Sequence, residues 1–427
     1  MIKTIKITEL KDNKKLTANQ YSKTFLTPEY IYIPLYDNND EYESLIKEND
    51  IVKIGEVVAI SKKFKIPIHS SISGTVTSLS KKMWTNNGKL INCIEIKNNY
   101  KEESLIEYNN KKIDRQTILN IIKESGIIGM GGAGFPTNIK YNNDNINTLI
   151  INACECEPFI TCDYRLIMDQ TLKLINGIHY ALIATNAKEA IIAIKKNKID
   201  AIELLKEYID DKIKLYLVND KYPVGWEKYL VTKITKKNYD KLPTEVNCIV
   251  SNVSTIIAID EAVKYNKPLI ERMVTFTGYC LNAPINVYCK IGTNIEEIIN
   301  YISGIKHKYH KKHLIAGGAM TGKSIAGDNL IVTKTLNSVI INPYLRKQNE
   351  IEVCIGCGKC SYICPTKLTP TQIIKYYSLK DIEELKQLKS TSCISCGLCS
   401  YVCPSRIDLT FLTTRAKEFV LRGNYGK

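Results

Sequence analysis

The spacing of hydrophobic positions changes repeatedly along the chain, and each change marks a different kind of structure. From residue 31 to 96 apolar residues alternate with polar ones or come in short runs, as IYIPL, VKIGEVVAI and FKIPIHSSISGTVTSL, with Gly55 and Gly74 where turns are expected. That pattern predicts an all-β module. From 113 to 267 strands alternate with helices: a helix over 115–125, a glycine-rich loop leading to a strand, INTLIINA at 146–153, and a long helix over 171–186. Such alternation predicts an α/β layer structure. Residues 274–337 return to strands, VTFTG, INVYCKIG and HLIAGGAMTG, with one helix near 295–302, which predicts a small α+β unit. From 346 onward the chain reads as short helices punctuated by cysteines. The expected division is therefore 1–100, 112–267, 268–345 and 346–427.

A chain of 427 residues with 44% hydrophobic content is long enough for several cored domains. Its first residues, MIKTIKITEL, lack the apolar region of a secretory signal, and no run approaches the roughly 18 apolar residues of a spanning helix. A soluble chain made in the cytosol is the expectation. The formal charge of +15 comes from lysines scattered through an Ile-, Lys- and Asn-rich sequence, with no basic block interleaved with aromatics. A solvated basic surface therefore outweighs a nucleic-acid groove.

The 15 cysteines point to metal or redox work, because a reducing compartment keeps thiols free. Cys93, Cys248, Cys280 and Cys289 sit singly among apolar neighbours and read as small buried hydrophobes. Eight others form two copies of one motif, CIGCGKCSYICP and CISCGLCSYVCP, which differ only where Gly356, Lys359 and Ile363 give way to Ser395, Leu398 and Val402. The C-x2-C-x2-C-x3-C-P spacing is that of a double-cluster ferredoxin, in which the fourth cysteine of each motif reaches the other cluster. On that spacing Cys354, Cys357, Cys360 and Cys403 hold one [4Fe-4S] cluster, and Cys393, Cys396, Cys399 and Cys364 hold the second. Gly356, Gly358 and Gly397 are expected to keep side chains clear of the sulfides, and Pro365 and Pro404 to start helices. The rival is a pair of structural zinc sites, which usually join two separated C-x2-C knuckles.

In the β module a V-x-x-G-E strand pair is followed by P-x-H-x-x-x-x-G-x-V, a pattern that resembles the barrel-sandwich hybrid of biotinyl and lipoyl domains. No Met-Lys-Met or comparable exposed lysine turn is apparent at the hairpin, so the module reads as a structural relative rather than a swinging-arm carrier. Residues 126–140 then leave bare backbone N–H groups at Gly129, Gly131, Gly132 and Gly134, suited to a phosphate or a flat ring. The context opposes a dinucleotide fingerprint, because the loop does not immediately follow a strand and Pro136 would fall within the helix that a Rossmann turn must open.

GMGGAGFPTNIK at 129–140 resembles the flavin loop of the NADH-oxidising subunit of respiratory complex I. With INACECEPFITCDYR at 151–165, KYPVGWEK at 221–228, LPTEVNCIVSNVST at 242–255 and KPLIERMVTFTG at 267–278, the chain is similar to the C subunits of the Rnf ion-translocating electron-transport complex. The resemblance implies a barrel-sandwich hybrid, a complex-I-like FMN domain, a soluble-ligand-binding (SLBB-like) β-grasp domain and a ferredoxin tail. It implies FMN held non-covalently and NAD(H) reacting with it. Gly129, Gly131, Gly132 and Gly134 match the phosphate and ribityl cradle, Lys140 a flavin-contacting lysine, Asn152 a ring-side asparagine, and Asn252 and Thr255 a second wall. Glu157 and Glu227 match carboxylates that face the nicotinamide nucleotide. Cys154, Ser251 and Trp226 depart from the complex I pattern, and Cys154, Cys156 and Cys162 fit no common ligand set. The function implied is a peripheral electron-input subunit at the cytoplasmic face of the plasma membrane. Its partners are membrane and peripheral subunits of the same complex, with ferredoxin served indirectly. The alternative is a cluster-only adaptor without flavin.

Overall fold

The computed structural model describes residues 8–37, 39–108, 113–309, 311–344 and 352–423. The boundaries expected at 112 and at 345–346, and both chain ends, lie outside the described residues. The β module closes as two four-stranded sheets. Tyr30–Pro34, Leu90–Asn98, Gly74–Trp84 and Ile51–Val52 form one; Tyr36–Asp37, Asp40–Ser44, Val57–Ser61 and Pro67–His69 form the other. Ile31, Ile33, Val58, Ile68, Val76, Ile94 and Ile96 fill the space between them. Alternation along each strand is what places these residues on one face.

Two sequence expectations fail here. Gly74 makes no turn: it begins the Gly74–Trp84 strand, and a Cβ there would fall 2.0 Å from the Lys97 carbonyl, so close strand approach is what requires glycine. The hairpin does carry exposed lysines, Lys62, Lys63 and Lys65, in the turn between Val57–Ser61 and Pro67–His69. Lys62 pairs with Glu41 at 2.8 Å, and Lys63 lies over the Phe64 ring. Phe64 in turn meets Phe135 of the glycine-rich loop edge to face.

The α/β unit has a fully parallel sheet in the order Ile213–Val218, Glu189–Lys195, Thr148–Ala153, Cys248–Asn252. Arg115–Glu124 starts where Asp114 accepts a bond from Thr117 N, and Thr171–Thr185 ends at Asn186 in the left-handed conformation. The glycine-rich loop does not run straight into a strand as expected. Thr137–Tyr141 forms a short helix first, opened by Pro136, whose fixed φ suits a helix start.

The third unit is a six-stranded mixed sheet with the helix Ile295–Tyr301 packed on it. Its outer strand, Lys23–Phe25, comes from the N-terminal region and pairs parallel with Ile285–Lys290. The first residues described thus serve the third unit and, through Lys14, the second.

In the cysteine-rich tail Leu368, Ile373, Leu385, Ala416 and Val420 make a small core among the helices Pro370–Ser378, Ile382–Gln387 and Leu409–Gly423. Pro365 and Pro404 start no helix. Each follows a one-turn helix, Lys359–Ile363 or Leu398–Tyr401, and opens a turn, because proline cannot continue the ladder. Gly356, Gly358 and Gly397 all have positive φ, and Ser395, at the position matching Gly356, has φ 51 as well. The loop geometry itself therefore demands the left-handed conformation. At Gly397 there is a second reason, since a Cβ would fall 2.5 Å from the Met320 carbonyl.

Candidate functional site

Asn152 and Asn252 stand in register at the carboxyl ends of adjacent parallel strands. Thr148–Ala153 leads to the other two strands on one side while Cys248–Asn252 lies on the other, so the gap above this pair is the switch point where α/β sheets bind ligands. The glycine-rich loop closes over it. Ile128 pairs with Pro136, Gly129 N donates to Phe135 O at 2.9 Å, and Thr137 N donates to Ile127 O at 3.1 Å. A Cβ on Gly131 would lie 2.8 Å from the Asn252 side chain, whereas at Gly132 the same position is open space.

Beneath the loop lies a cavity of about 130 Å³. Gly131, Asn152, Glu157 and Asn252 line it, with Glu155, Cys156, Asp163 and Gly225, and with Arg272 and Asn337 of the third unit. The asparagines build its walls rather than offer free amides. Asn152 Nδ2 donates to Gly225 O at 2.8 Å; Asn252 Nδ2 donates to Asp163 Oδ2 at 2.6 Å while its oxygen caps the helix Val253–Tyr265. Thr255 is not in the lining. It holds the loop from behind, accepting from Met130 N at 3.0 Å. Lys140 and Glu227 stand apart from the lining and face each other at 3.6 Å, half-exposed. Gly129 and Gly134 shape the loop outside the lining, Gly134 with φ 67.

Glu157 does not point to open solvent. Its carboxylate accepts from Met320 N at 3.0 Å and Thr321 Oγ1 at 2.7 Å, and burial pushes its pKa up. Glu155 is the strained member of this segment, with φ 32. Its Oε1 accepts from Asp163 N at 2.7 Å, but its buried Oε2 has no hydrogen-bond partner. Lys14 supports this segment, donating to the carbonyls of Glu155 at 2.6 Å and Ile160 at 2.5 Å, with its ammonium 3.6 Å from that orphaned oxygen. Nothing in the sequence near Lys14 announces the role, because its partners lie more than a hundred residues away. Arg272 carried a signal, a lone arginine in an apolar strand, and is wholly buried. An orphaned acceptor, a bare loop backbone and a buried guanidinium suit a ligand with N–H or O–H donors at one end and an anion at the other, as FMN has.

The tail holds two further enclosures. Cys354, Cys357, Cys360 and Cys403 line one; Cys364, Cys393, Cys396 and Cys399 line the other. Each takes three cysteines from one motif and the fourth from its twin. Among the described residues no three His, Cys, Asp or Glu side chains draw together tightly enough for a single ion. Each enclosure is instead lined by four cysteines, the donor set that a cube of iron and sulfide takes. Cys354 and Cys357 are exposed, while the second quartet is at most half-exposed. Its sulfurs are also hydrogen-bonded: Leu368 N donates to Cys364 Sγ at 3.3 Å, Ser395 N to Cys393 Sγ at 3.4 Å, and Thr410 Oγ1 lies 3.2 Å from Cys399 Sγ. In the cluster-free chain the Cys396 thiol is pushed up to about 12, chiefly by burial. Cys93, Cys248, Cys280 and Cys289 are all buried.

Residues 122–261 match the Nuo51 FMN-binding domain, 6–101 the RnfC barrel sandwich hybrid domain and 353–407 a 4Fe-4S dicluster domain. Over 375 residues the chain is 31% identical to the C subunit of the proton-translocating ferredoxin:NAD(+) oxidoreductase complex of Clostridium ljungdahlii, covering 85% of this chain and 81% of that protein. The chain belongs to the RnfC family. The C subunit of the ion-translocating oxidoreductase complex of Rhodobacter capsulatus is 31% identical over 386 residues, 87% of this chain and 74% of that one. The Vibrio cholerae counterpart is 32% identical over 391 residues, but this chain covers only 50% of it. An NAD+-reducing [NiFe]-hydrogenase in the air-oxidized state shares the fold over 72% of this chain and 62% of its own, with TM-score 0.52 and 18% identity. This RnfC-family chain is thus an electron-transfer subunit of an ion-translocating oxidoreductase complex, with an FMN-binding domain and a 4Fe-4S dicluster domain. Among the described residues no helix is long and apolar enough to cross a membrane.

Proposed function

We propose that the chain passes electrons between NAD(H) and two [4Fe-4S] clusters by way of FMN, as a peripheral subunit on the cytoplasmic face of the membrane. Its neighbours are the membrane subunits of the same complex, with ferredoxin served indirectly. The observation that carries the reading is adjacency: Glu157 of the loop cavity and the main chain of Cys396 in the second quartet both approach the hydroxyl of Tyr222.

Gly131 and Gly132 offer the backbone, Asn152 and Asn252 fix the walls, and Glu155 supplies an acceptor to a ring N–H or ribityl hydroxyl. The buried Arg272 supplies positive charge. Lys140 and Glu227 form a half-exposed pair of small energetic weight, about 0–1 kcal/mol, so either can turn to an arriving nucleotide. Flavin, when bound, supplies the exchange between a two-electron hydride and single electrons. The balance is NADH plus two oxidised cubes giving NAD+, a proton and two cubes each reduced by one electron.

The test is anaerobic purification, counting FMN, iron and acid-labile sulfide per chain before NADH is added. One FMN, two cubes' worth of iron and sulfide, and bleaching of the flavin by NADH are expected. Iron without FMN leaves a cluster-only adaptor, and colourless protein loaded with zinc overturns both.

A further inference from the structure

Four segments meet between the loop cavity and the second quartet with no room for a methyl group. Tyr222 is 3% exposed, and its backbone is fixed by paired bonds with Thr8, at 2.7 and 2.6 Å. Its hydroxyl donates to Cys396 O at 2.7 Å and lies 3.4 Å from Glu157 Oε1. A phenol has one proton, and the shorter contact takes it. Glu157 is held from the other side by Met320 N and Thr321 Oγ1. A Cβ on Gly318 would fall 2.3 Å from the Glu157 carboxyl, and one on Gly397 would fall 2.5 Å from Met320 O. Among the described residues the first quartet is open instead: Cys354 and Cys357 are exposed, and Val353 and Ile355 beside them are 87% and 69% exposed.

We propose that Tyr222 is a positioning residue for electron transfer, its hydroxyl holding the Cys396 loop against Glu157 so that the Cys364–Cys393–Cys396–Cys399 cluster, not the exposed one, exchanges electrons with the flavin. This rests on the function proposed above. The electrons are those delivered by the hydride of NADH, one entering this cube at a time. No bond is made or broken at Tyr222, whose proton stays on its oxygen. Hydrogen bonds to sulfur and exposure set cluster potentials, and the Tyr222 bond fixes the main chain that carries the Cys396 sulfur, so removing the hydroxyl shifts the potential of this cluster and leaves the other alone.

The experiment uses the full chain, purified anaerobically with its cofactors, as parent and as Tyr222→Phe. Cys364→Ser and Cys354→Ser assign each EPR signal to its cluster. In Tyr222→Phe the FMN and iron contents are expected to match the parent, and an EPR-monitored redox titration shifts the midpoint of the Cys364-dependent signal alone. In stopped flow, flavin bleaching by NADH keeps its rate while electron arrival at the clusters slows about tenfold, as loss of a fixed geometry predicts. Gly397→Ala, which presses the loop off Met320, gives the same signature if Tyr222→Phe does not fold. A shift of the Cys354-dependent signal, or no shift and no slowing in either variant, overturns the proposal while the flavin reading stands. A parent without FMN overturns the flavin reading itself.

Discussion

Lys14 and Asp163 show how single buried charges govern the cavity. Lys14 caps two carbonyls and faces the orphaned oxygen of Glu155. Lys14→Met leaves all three without a cation, and removing one member of a buried pair costs about 3–5 kcal/mol. A fall in the thermal midpoint of several degrees, with weaker FMN retention on dilution, is the expected result; an unchanged midpoint would show that the loop holds itself. Asp163 behaves in the opposite sense. Burial, with the charge of Glu155 added, raises its carboxyl from 3.8 to about 6. The folded chain keeps this proton where the unfolded chain has released it. The stabilisation is therefore complete below the unfolded value and is lost as pH rises through about 6. Asp163→Asn removes that dependence, so its stability relative to the parent should grow between about pH 4 and 6 and level off above. Thermal melts across that range check it, and a constant difference would mean that Asp163 titrates normally.

At the scale of the element, the glycine-rich loop separates two reasons for glycine. Gly131→Ala drives a methyl into Asn252 and breaks its bond to Asp163, costing about 1–3 kcal/mol whether or not FMN is present. Gly132→Ala meets open space, so the cofactor-free chain should melt like the parent while FMN affinity falls. Fluorescence titration with FMN beside melts of the stripped protein distinguishes the two; equal melting losses would place Gly132 in packing instead. The loop, its chemistry and the strand after it were legible because glycines and an apolar run are local signals. The intervening helix Thr137–Tyr141 was not, being only one turn long with a buried tyrosine as its main tether. Lys23–Phe25 was missed for a related reason: its partner strand, Ile285–Lys290, lies far along the chain, and three residues carry no period. Lys14 and Tyr222 escaped likewise, since what distinguishes each is a contact made only after distant segments meet.

At the scale of the molecule, the two motifs of the tail are interleaved, and this fixes what each cysteine substitution can do. Cys403 stands with Cys354, Cys357 and Cys360, and Cys364 with Cys393, Cys396 and Cys399, so neighbours in sequence serve different enclosures. Burial chiefly raises the pKa of the Cys396 thiol, and the sulfurs of Cys399, of Cys364 from the other motif and of Cys393 add to it. Replacing one thiolate by serine alters the potential and spectrum of the cluster it ligates. Cys403→Ser should therefore perturb the same EPR signal as Cys354→Ser, and Cys364→Ser the same signal as Cys393→Ser. Pairing by sequence, with Cys364 grouped with Cys354 and Cys403 with Cys393, would mean that each motif closes on its own cluster. Under the interleaved arrangement neither motif can close a site without its twin. A chain truncated before Cys393 should then lose both clusters rather than one, which iron counting on the truncated protein reads directly.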